Sequence, residues 1–244
     1  MIKNLLNKYI NSVISRIIKK QTKIQQEQFA FQAISGLFNE PHFIPFTRWS
    51  ISPSTIQHIL NDIEINKRNC IVEFGAGSST LYIAKLLKTK GSNASFFSIE
   101  SDEKWARTIE NDIKKMQLDN FVSIIHAPMA KVSKTISHGQ QTHWYDTQVL
   151  DSIFVDIHAI DLILVDGPHG KSTPFARYSA IPYLQTKLST SYSIYLDDSE
   201  RDEEKEIITE WKKSLNCNAS ISHRYALLSN DIDLITMPYR LKVW

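Results

Sequence analysis

From Cys70 to Asp197, apolar runs of five or six residues alternate with longer stretches whose apolar residues recur every three or four positions. The short runs read as strands buried on both faces, and the longer pattern reads as amphipathic helix. The spacing predicts strands at 70–74, 95–99, 121–126, 161–165 and 192–197. Helices are expected at 78–90, 102–116, 175–188 and 199–215, with an irregular stretch over 127–160. Alternation of this kind predicts an α/β fold: a parallel sheet covered on both faces, with right-handed crossovers. Two further apolar runs, about 219–228 and 232–237, are joined by Ser229-Asn230-Asp231. That junction is a hairpin signal, and it sets one antiparallel strand at the sheet edge.

Upstream of Cys70 the pattern changes. Ile2, Leu5, Leu6, Tyr9, Ile10, Val13, Ile14, Ile17 and Ile18 recur at helical spacing, so residues 2–34 read as one or two helices. Residues 37–53 are rich in proline and aromatics and read as a connector. Ser52-Pro53 then opens a helix through about Ile65, with Ser52 as N-cap and Pro53 in the first turn. The expected organisation is an N-terminal helical extension and connector over 1–51 and one domain over 52–244.

Composition adds limits. A chain of 244 residues, 42% hydrophobic and 22% charged, can bury a core without staples. Its two cysteines, Cys70 and Cys217, read as reduced thiols rather than a redox or metal pair. No run of about 18 apolar residues occurs, so the expected location is cytoplasmic. The net charge of +2 is unevenly placed. Residues 1–26 carry six basic residues and no acid, leaving 22 basic against 26 acidic residues in the remainder. The body therefore lacks the charge of a nucleic-acid-binding surface, and no nucleic-acid partner is expected. The basic helix has three readings: packing on the domain or on a second subunit, contact with an anionic membrane surface, or a targeting peptide.

The chemistry is concentrated where strands end. In an open parallel sheet, ligands bind beyond the carboxyl ends of the strands, where strand order reverses. The first strand runs into Glu73-Phe74-Gly75-Ala76-Gly77-Ser78-Ser79-Thr80. Gly75 and Gly77 allow a sharp turn and close approach to a ligand. Ser78, Ser79 and Thr80 can cap the following helix, whose free amides favour a carboxylate. Glu73 could accept from a ligand ammonium group, directly or through water. Glu100, followed by Ser101, ends the second strand 23 residues after Gly77. One carboxylate there can accept both hydroxyls of a ribose. The acid two places before Gly75 points to S-adenosylmethionine rather than to a dinucleotide.

On these residues the chain resembles the class I S-adenosylmethionine-dependent methyltransferases, over roughly residues 52–240. The family's first motif matches Val72-Glu73-Phe74-Gly75-Ala76-Gly77, and its ribose-binding acid matches Glu100. The resemblance implies a Rossmann-like sheet of seven strands in order 3-2-1-4-5-7-6, with strand 7 antiparallel. The implied cofactor site comprises Glu73, Gly75, Ala76, Gly77, Ser79, Thr80, Glu100, Ser101 and Asp166.

Asp166-Gly167-Pro168-His169 closes the fourth strand. The turn there would set Asp166 and His169 beside the reacting centre as catalytic candidates, with His169 as base because imidazole titrates near neutrality. The fifth strand ends in Asp197-Asp198. Asp166, Asp197 and Asp198 could share a hard cation such as Mg²⁺ at about 2.1 Å. Small-molecule O-methyltransferases that hold Mg²⁺ at these strand ends look similar, but their best-known pattern has Asp-Asn in place of Asp197-Asp198. His126, the insert residues His138, His143, Trp144 and Tyr145, and the Arg48-Trp49 pair are further candidates for the pocket wall or its cover.

The expected function is methyl transfer to a hydroxyl of a small molecule or glycan. Two other classes stay open: a nicotinamide-dependent oxidoreductase using the same glycines and Glu100, and a non-catalytic methyltransferase-like module that docks through residues 1–34. The extension also leaves a homodimer or a peripheral membrane contact open.

Overall fold

The computed structural model describes residues 2–38, 43–222, 224–231 and 234–239. Its centre is a seven-stranded sheet in spatial order β3-β2-β1-β6-β7-β9-β8. The strands are β1 (Cys70–Phe74), β2 (Ser95–Glu100), β3 (Ser123–His126), β6 (Ile160–Val165), β7 (Leu188–Asp197), β8 (Asn218–Ile221) and β9 (Tyr225–Ser229). A separate two-stranded ribbon pairs β4 (Met129–Lys131) with β5 (His143–Tyr145). With the ribbon set aside, the order matches the expected one. The antiparallel strand is β9, which runs against both β7 and β8.

Side-chain alternation explains why the sheet is covered twice. Ile71, Leu162, Leu164, Tyr195 and Leu227 enter one buried cluster. Their neighbours Val72, Ile163, Val165, Ile194, Leu196 and Leu228 enter the other. Successive strand residues point to opposite faces, so near-continuous apolar strands need helices on both. The first cluster is completed by α2 (Pro53–Ile65), α3 (Ser78–Lys90) and α4 (Glu103–Lys115), the second by α5 (Thr147–Phe154), α6 (Ala180–Leu184) and α7 (Asp202–Leu215). The N-cap of α2 is as expected: the Ser52 hydroxyl accepts from the Thr55 amide at 3.2 Å.

Residues 2–35 form one continuous helix, α1 (Ile2–Ser35). Its last turns deliver Ala30 and Ile34 to the interior, and the connector adds Ile44 and Ile51.

Three expectations are corrected. The hairpin pairs β8, ending at Ile221, with β9, starting at Tyr225, and does not lie at Ser229-Asn230-Asp231. The latter residues end β9 by bonding back to β7: Ser229 donates to the Tyr192 carbonyl at 2.7 Å, and Asn230 accepts from the Tyr192 amide at 3.2 Å. Polar turn formers marked a strand end there. The helix expected at 175–188 shrinks to α6 and a 3₁₀ turn at Gln185–Lys187: residues 175–179 form turns, and β7 begins at Leu188. The stretch 127–160 is only partly irregular, since it holds the β4–β5 ribbon and α5.

Candidate active site

Strand order reverses at β1, which lies between β2 and β6. Their carboxyl ends meet there. The Gly75 amide donates to the Ile99 carbonyl at 2.8 Å, and the Asp166 amide donates to the Phe74 carbonyl at 2.9 Å. Gly75 has φ of +96°, and a Cβ on it would stand 2.9 Å from the Gly167 nitrogen. Only glycine suits both the left-handed backbone and that approach. Around Gly77 the situation is reversed. A Cβ there would meet nothing within 4 Å, so the turn opens onto free space.

Glu73 does not face that space. It is 0% exposed, and its carboxylate accepts from the hydroxyls of Ser79, Thr80 and Ser98. Thr80 in turn accepts from the Gly77 amide at 2.8 Å. Glu73 therefore braces the glycine turn from beneath, through Ser79 and Thr80. This corrects two expectations. A ligand ammonium group cannot reach Glu73 in this packing, and the Ser79 hydroxyl serves Glu73 rather than capping α3, while Thr80 serves both Glu73 and the Gly77 amide at the helix start. The helix begins at Gly77 with no side-chain cap, which leaves its first amides for a ligand. Burial raises the Glu73 pKa to about 7, against the opposing pull of its three hydroxyl donors.

Glu100 sits across the turn. Its Oε1 accepts from the Ser101 and Asp102 amides at 2.7 and 2.8 Å. Its Oε2 accepts only the Ala76 amide, at 3.2 Å, and keeps acceptor capacity. Burial raises its pKa, partly offset by those amides. His126 is paired beside Glu100 in the β2–β3 register and is exposed. Trp105, which sequence reasoning missed, donates its indole N–H to the Ala76 carbonyl at 2.7 Å. It sits on α4, a helix whose polar surface gave no sign that one aromatic side chain reaches back to the turn.

The insert contributes one residue to the cleft. Tyr145 is 2% exposed, packs on Phe74 at 5.5 Å, and has a hydroxyl with no partner, against Gly167. Burial first, then the charge of Glu100, pushes its pKa well up, so it is a neutral phenol. The other insert candidates lie elsewhere. Trp144 is fully buried core, His138 stacks on Tyr178 and bonds Glu206 of α7, and His143 bonds Thr142.

His169 is exposed at the end of the β6 turn, where the Trp49 ring lies 5.4 Å from it, with Arg48 over Trp49 at 5.2 Å. The connector thus reaches over this side of the cleft. The His169 Nδ1 accepts from the Lys171 amide at 3.3 Å. In the tautomer that this bond favours, Nε2 carries the proton and can donate to its surroundings.

Asp166, Asp197 and Asp198 do converge, with oxygens within 4.8 Å of one another. They do not fit a hard metal, because each already pairs with an arginine through one oxygen, although Asp197 Oδ1 has no partner. Arg177 reaches Asp166 Oδ1 at 2.9 Å and Asp198 Oδ2 at 3.1 Å. Arg201 reaches Asp198 Oδ2 at 2.7 Å, and Arg224 reaches Asp197 Oδ2 at 3.2 Å. The expectation of shared Mg²⁺ is therefore not supported by the donor set. Burial, and then the neighbours Asp197 and Asp198 working against Arg177, hold the Asp166 pKa well above the ordinary carboxylate range. Asp197 is pushed up to about 6, again mainly by burial.

A sheet of this order, with its glycine turn and strand-tip acid at the switch point, is the Rossmann-like fold of class I methyltransferases. Solved structures bear out the fold. The O-methyltransferase of Bacillus cereus in complex with SAH is 13% identical, matches 84% of this chain and 90% of its own, and has a TM-score of 0.55. A putative caffeoyl-CoA O-methyltransferase of Staphylococcus aureus is 14% identical over 87% and 99%, at 0.56. The methyltransferase PaMTH1 of Podospora anserina, also bound to SAH, is 13% identical over 89% and 95%, at 0.53. No protein-family model and no curated protein matches the sequence.

Proposed function

We propose that the chain is an S-adenosylmethionine-dependent methyltransferase that methylates a hydroxyl of a small molecule or glycan. The observation that carries this is the open space over Gly77, walled by Glu100, at the point where strand order reverses. Glu73 is spent on bracing the turn, so the α3 amides take the ligand's carboxylate and Glu100 Oε2 takes its ribose. Solved structures of the same fold that hold SAH or SAM favour this over a nicotinamide.

When bound, S-adenosylmethionine would supply a methyl carbon for the acceptor oxygen, with the carbon–sulfur electron pair retained by the departing thioether; the α3 amides and Glu100 would hold it there. The acceptor proton needs a destination. Asp166 is the better base: it stands at the tip of β6, and burial holds its pKa above the ordinary carboxylate range. His169, as a donor on Nε2, orients the acceptor under the Trp49 ring. A cavity of about 410 Å³ lined by Phe31, Phe46, Thr47, Ser50 and Arg224 is a fitting acceptor room. Residues 52–244 carry the reaction, and the connector and the end of α1 wall the acceptor.

Calorimetry with S-adenosylhomocysteine (SAH) and, separately, with NAD tests the reading. A saturable heat with SAH and none with NAD is expected; no heat with SAH would overturn it. In turnover assays, Asp166→Asn and His169→Ala should lower the rate while leaving SAH affinity within about threefold.

A further inference from the structure

The arginine at the centre of the acidic cluster is the least expected feature of the site. Arg177 stands in the segment before α6 and is only 4% exposed. One nitrogen bonds the Asp166 carbonyl at 2.8 Å and Asp166 Oδ1 at 2.9 Å. The other bonds the Asp197 carbonyl at 2.9 Å. The same guanidinium also pairs with Asp198 Oδ2 at 3.1 Å, and Glu204 lies 3.8 Å away. It thus ties the tips of β6 and β7 together from the position a shared cation would take. Arg201 and Arg224 close the cluster from outside. Three guanidinium charges face four carboxylates, and a guanidinium does not lose its charge in a protein.

A divalent ion would need bare carboxylate oxygens at about 2.1 Å and room for its waters. Here one oxygen of each aspartate is held by a guanidinium, Asp197 Oδ1 alone being buried without a partner, and the ion would sit against three fixed positive charges. We infer that Arg177 is a built-in cation which positions Asp166 and Asp198, and that the protein neither binds nor uses a divalent metal at this cluster. The acceptor is then held by hydrogen bonds and need not offer a chelating pair of oxygens. The inference concerns the same site as the proposed transferase, but its test does not depend on that reading.

The full chain, freed of metal with a chelator, is titrated with Mg²⁺ alone and with Mn²⁺ alone. No saturable heat is expected to about 5 mM, and the melting midpoint should move by less than about 1 °C. Arg177→Met keeps the stem but bares the carboxylates; it should gain Mg²⁺ binding and a rise in midpoint. Arg177→Lys keeps the charge and should still refuse the metal. Saturable binding by the unaltered chain, lost in Asp198→Asn, would overturn the inference whether or not the methionine variant folds. So would a folded Arg177→Met protein indifferent to metal. A missing SAH heat in the same samples would count against the transferase alone.

A different observation concerns α1. Every described side chain from Asn7 to Gln21 is exposed, except the half-buried Val13. This part of the helix leaves the body, which it rejoins at Ala30 and Ile34. Ile10, Val13, Ile14, Ile17 and Ile24 form one stripe at helical spacing, flanked by Lys8, Arg16, Lys19 and Lys20. Pairing two such arms would bring like charges together. An anionic surface would satisfy both the stripe and the lysines. We propose that this arm lies on an anionic lipid surface. In flotation assays the full chain should bind vesicles of 30% phosphatidylglycerol in phosphatidylcholine, and not pure phosphatidylcholine. Ile14→Asp with Ile17→Asp should abolish binding while leaving the circular dichroism melt unchanged. Failure to float with the anionic vesicles would overturn the proposal, as would a stable dimer in sedimentation that this double variant dissociates.

Discussion

Replacing Glu73 by glutamine isolates the brace beneath the glycine turn. The carboxyl is 0% exposed, and burial raises its pKa from the ordinary 4.5 to about 7. Between those values the folded protein holds a proton that the unfolded chain has released. The contribution is therefore fully present below pH 4.5 and is lost as the pH rises through about 7. Two and a half pH units at about 1.4 kcal/mol each amount to about 3 kcal/mol. Glutamine keeps an acceptor and two donors for Ser79, Thr80 and Ser98 but never ionises. Urea unfolding of both proteins at half-unit steps from pH 4 to 8.5 gives the difference directly. Other buried carboxylates, such as Asp166 and Asp197, titrate in both proteins and cancel. The glutamine variant should gain on the unaltered chain by about 3 kcal/mol across the window, with flat ends. Parallel curves would refute the reasoning: Glu73 would then be ionised in both states, and its hydroxyl donors would outweigh desolvation.

Other outcomes follow from the same geometry. Gly75→Ala places a Cβ at 2.9 Å from the Gly167 nitrogen on a backbone with φ of +96°, so urea unfolding should show a loss above about 1 kcal/mol. At Gly77 an added Cβ meets nothing within 4 Å, so Gly77→Ala should leave the melt unchanged, and calorimetry with the bulkier Gly77→Val should show SAH binding weakened at least about tenfold. Glu100→Ala should also weaken SAH by about tenfold or more, with Glu100→Gln retaining part of the affinity. Tyr145→Phe removes a buried hydroxyl that has no partner. Stability should hold or rise by urea unfolding, and a fall in SAH affinity would mark the hydroxyl as a ligand contact.

The glycine turn and the strand-tip acid were legible because both are local: adjacent residues on one chain segment, placed by a strand on one side and a helix on the other. The use of Glu73 was not legible. Its three donors come from α3 and from Ser98 on β2, and only packing decides that they converge beneath the turn. The metal reading failed for a related reason. Asp166, Asp197 and Asp198 were correctly brought together, but Arg177 lies 11 residues past Asp166 in a segment expected to begin a helix. A chain pattern that locates acids at strand ends carries no information about which distant cation fills the gap between them.

By itself, the sequence determined the period of most segments, and with it the parallel sheet and the glycine turn at the cleft; the strand order came from the family resemblance that its motifs carry. Strand burial on both faces and glycine-dependent turns follow from neighbouring residues alone. Tertiary structure alone decided the charge state and availability of each group in the cleft. Burial and long-range partners set whether Glu73 faces a ligand or a hydroxyl cluster, whether His169 offers a donor or an acceptor, and whether three aspartates meet a metal or an arginine.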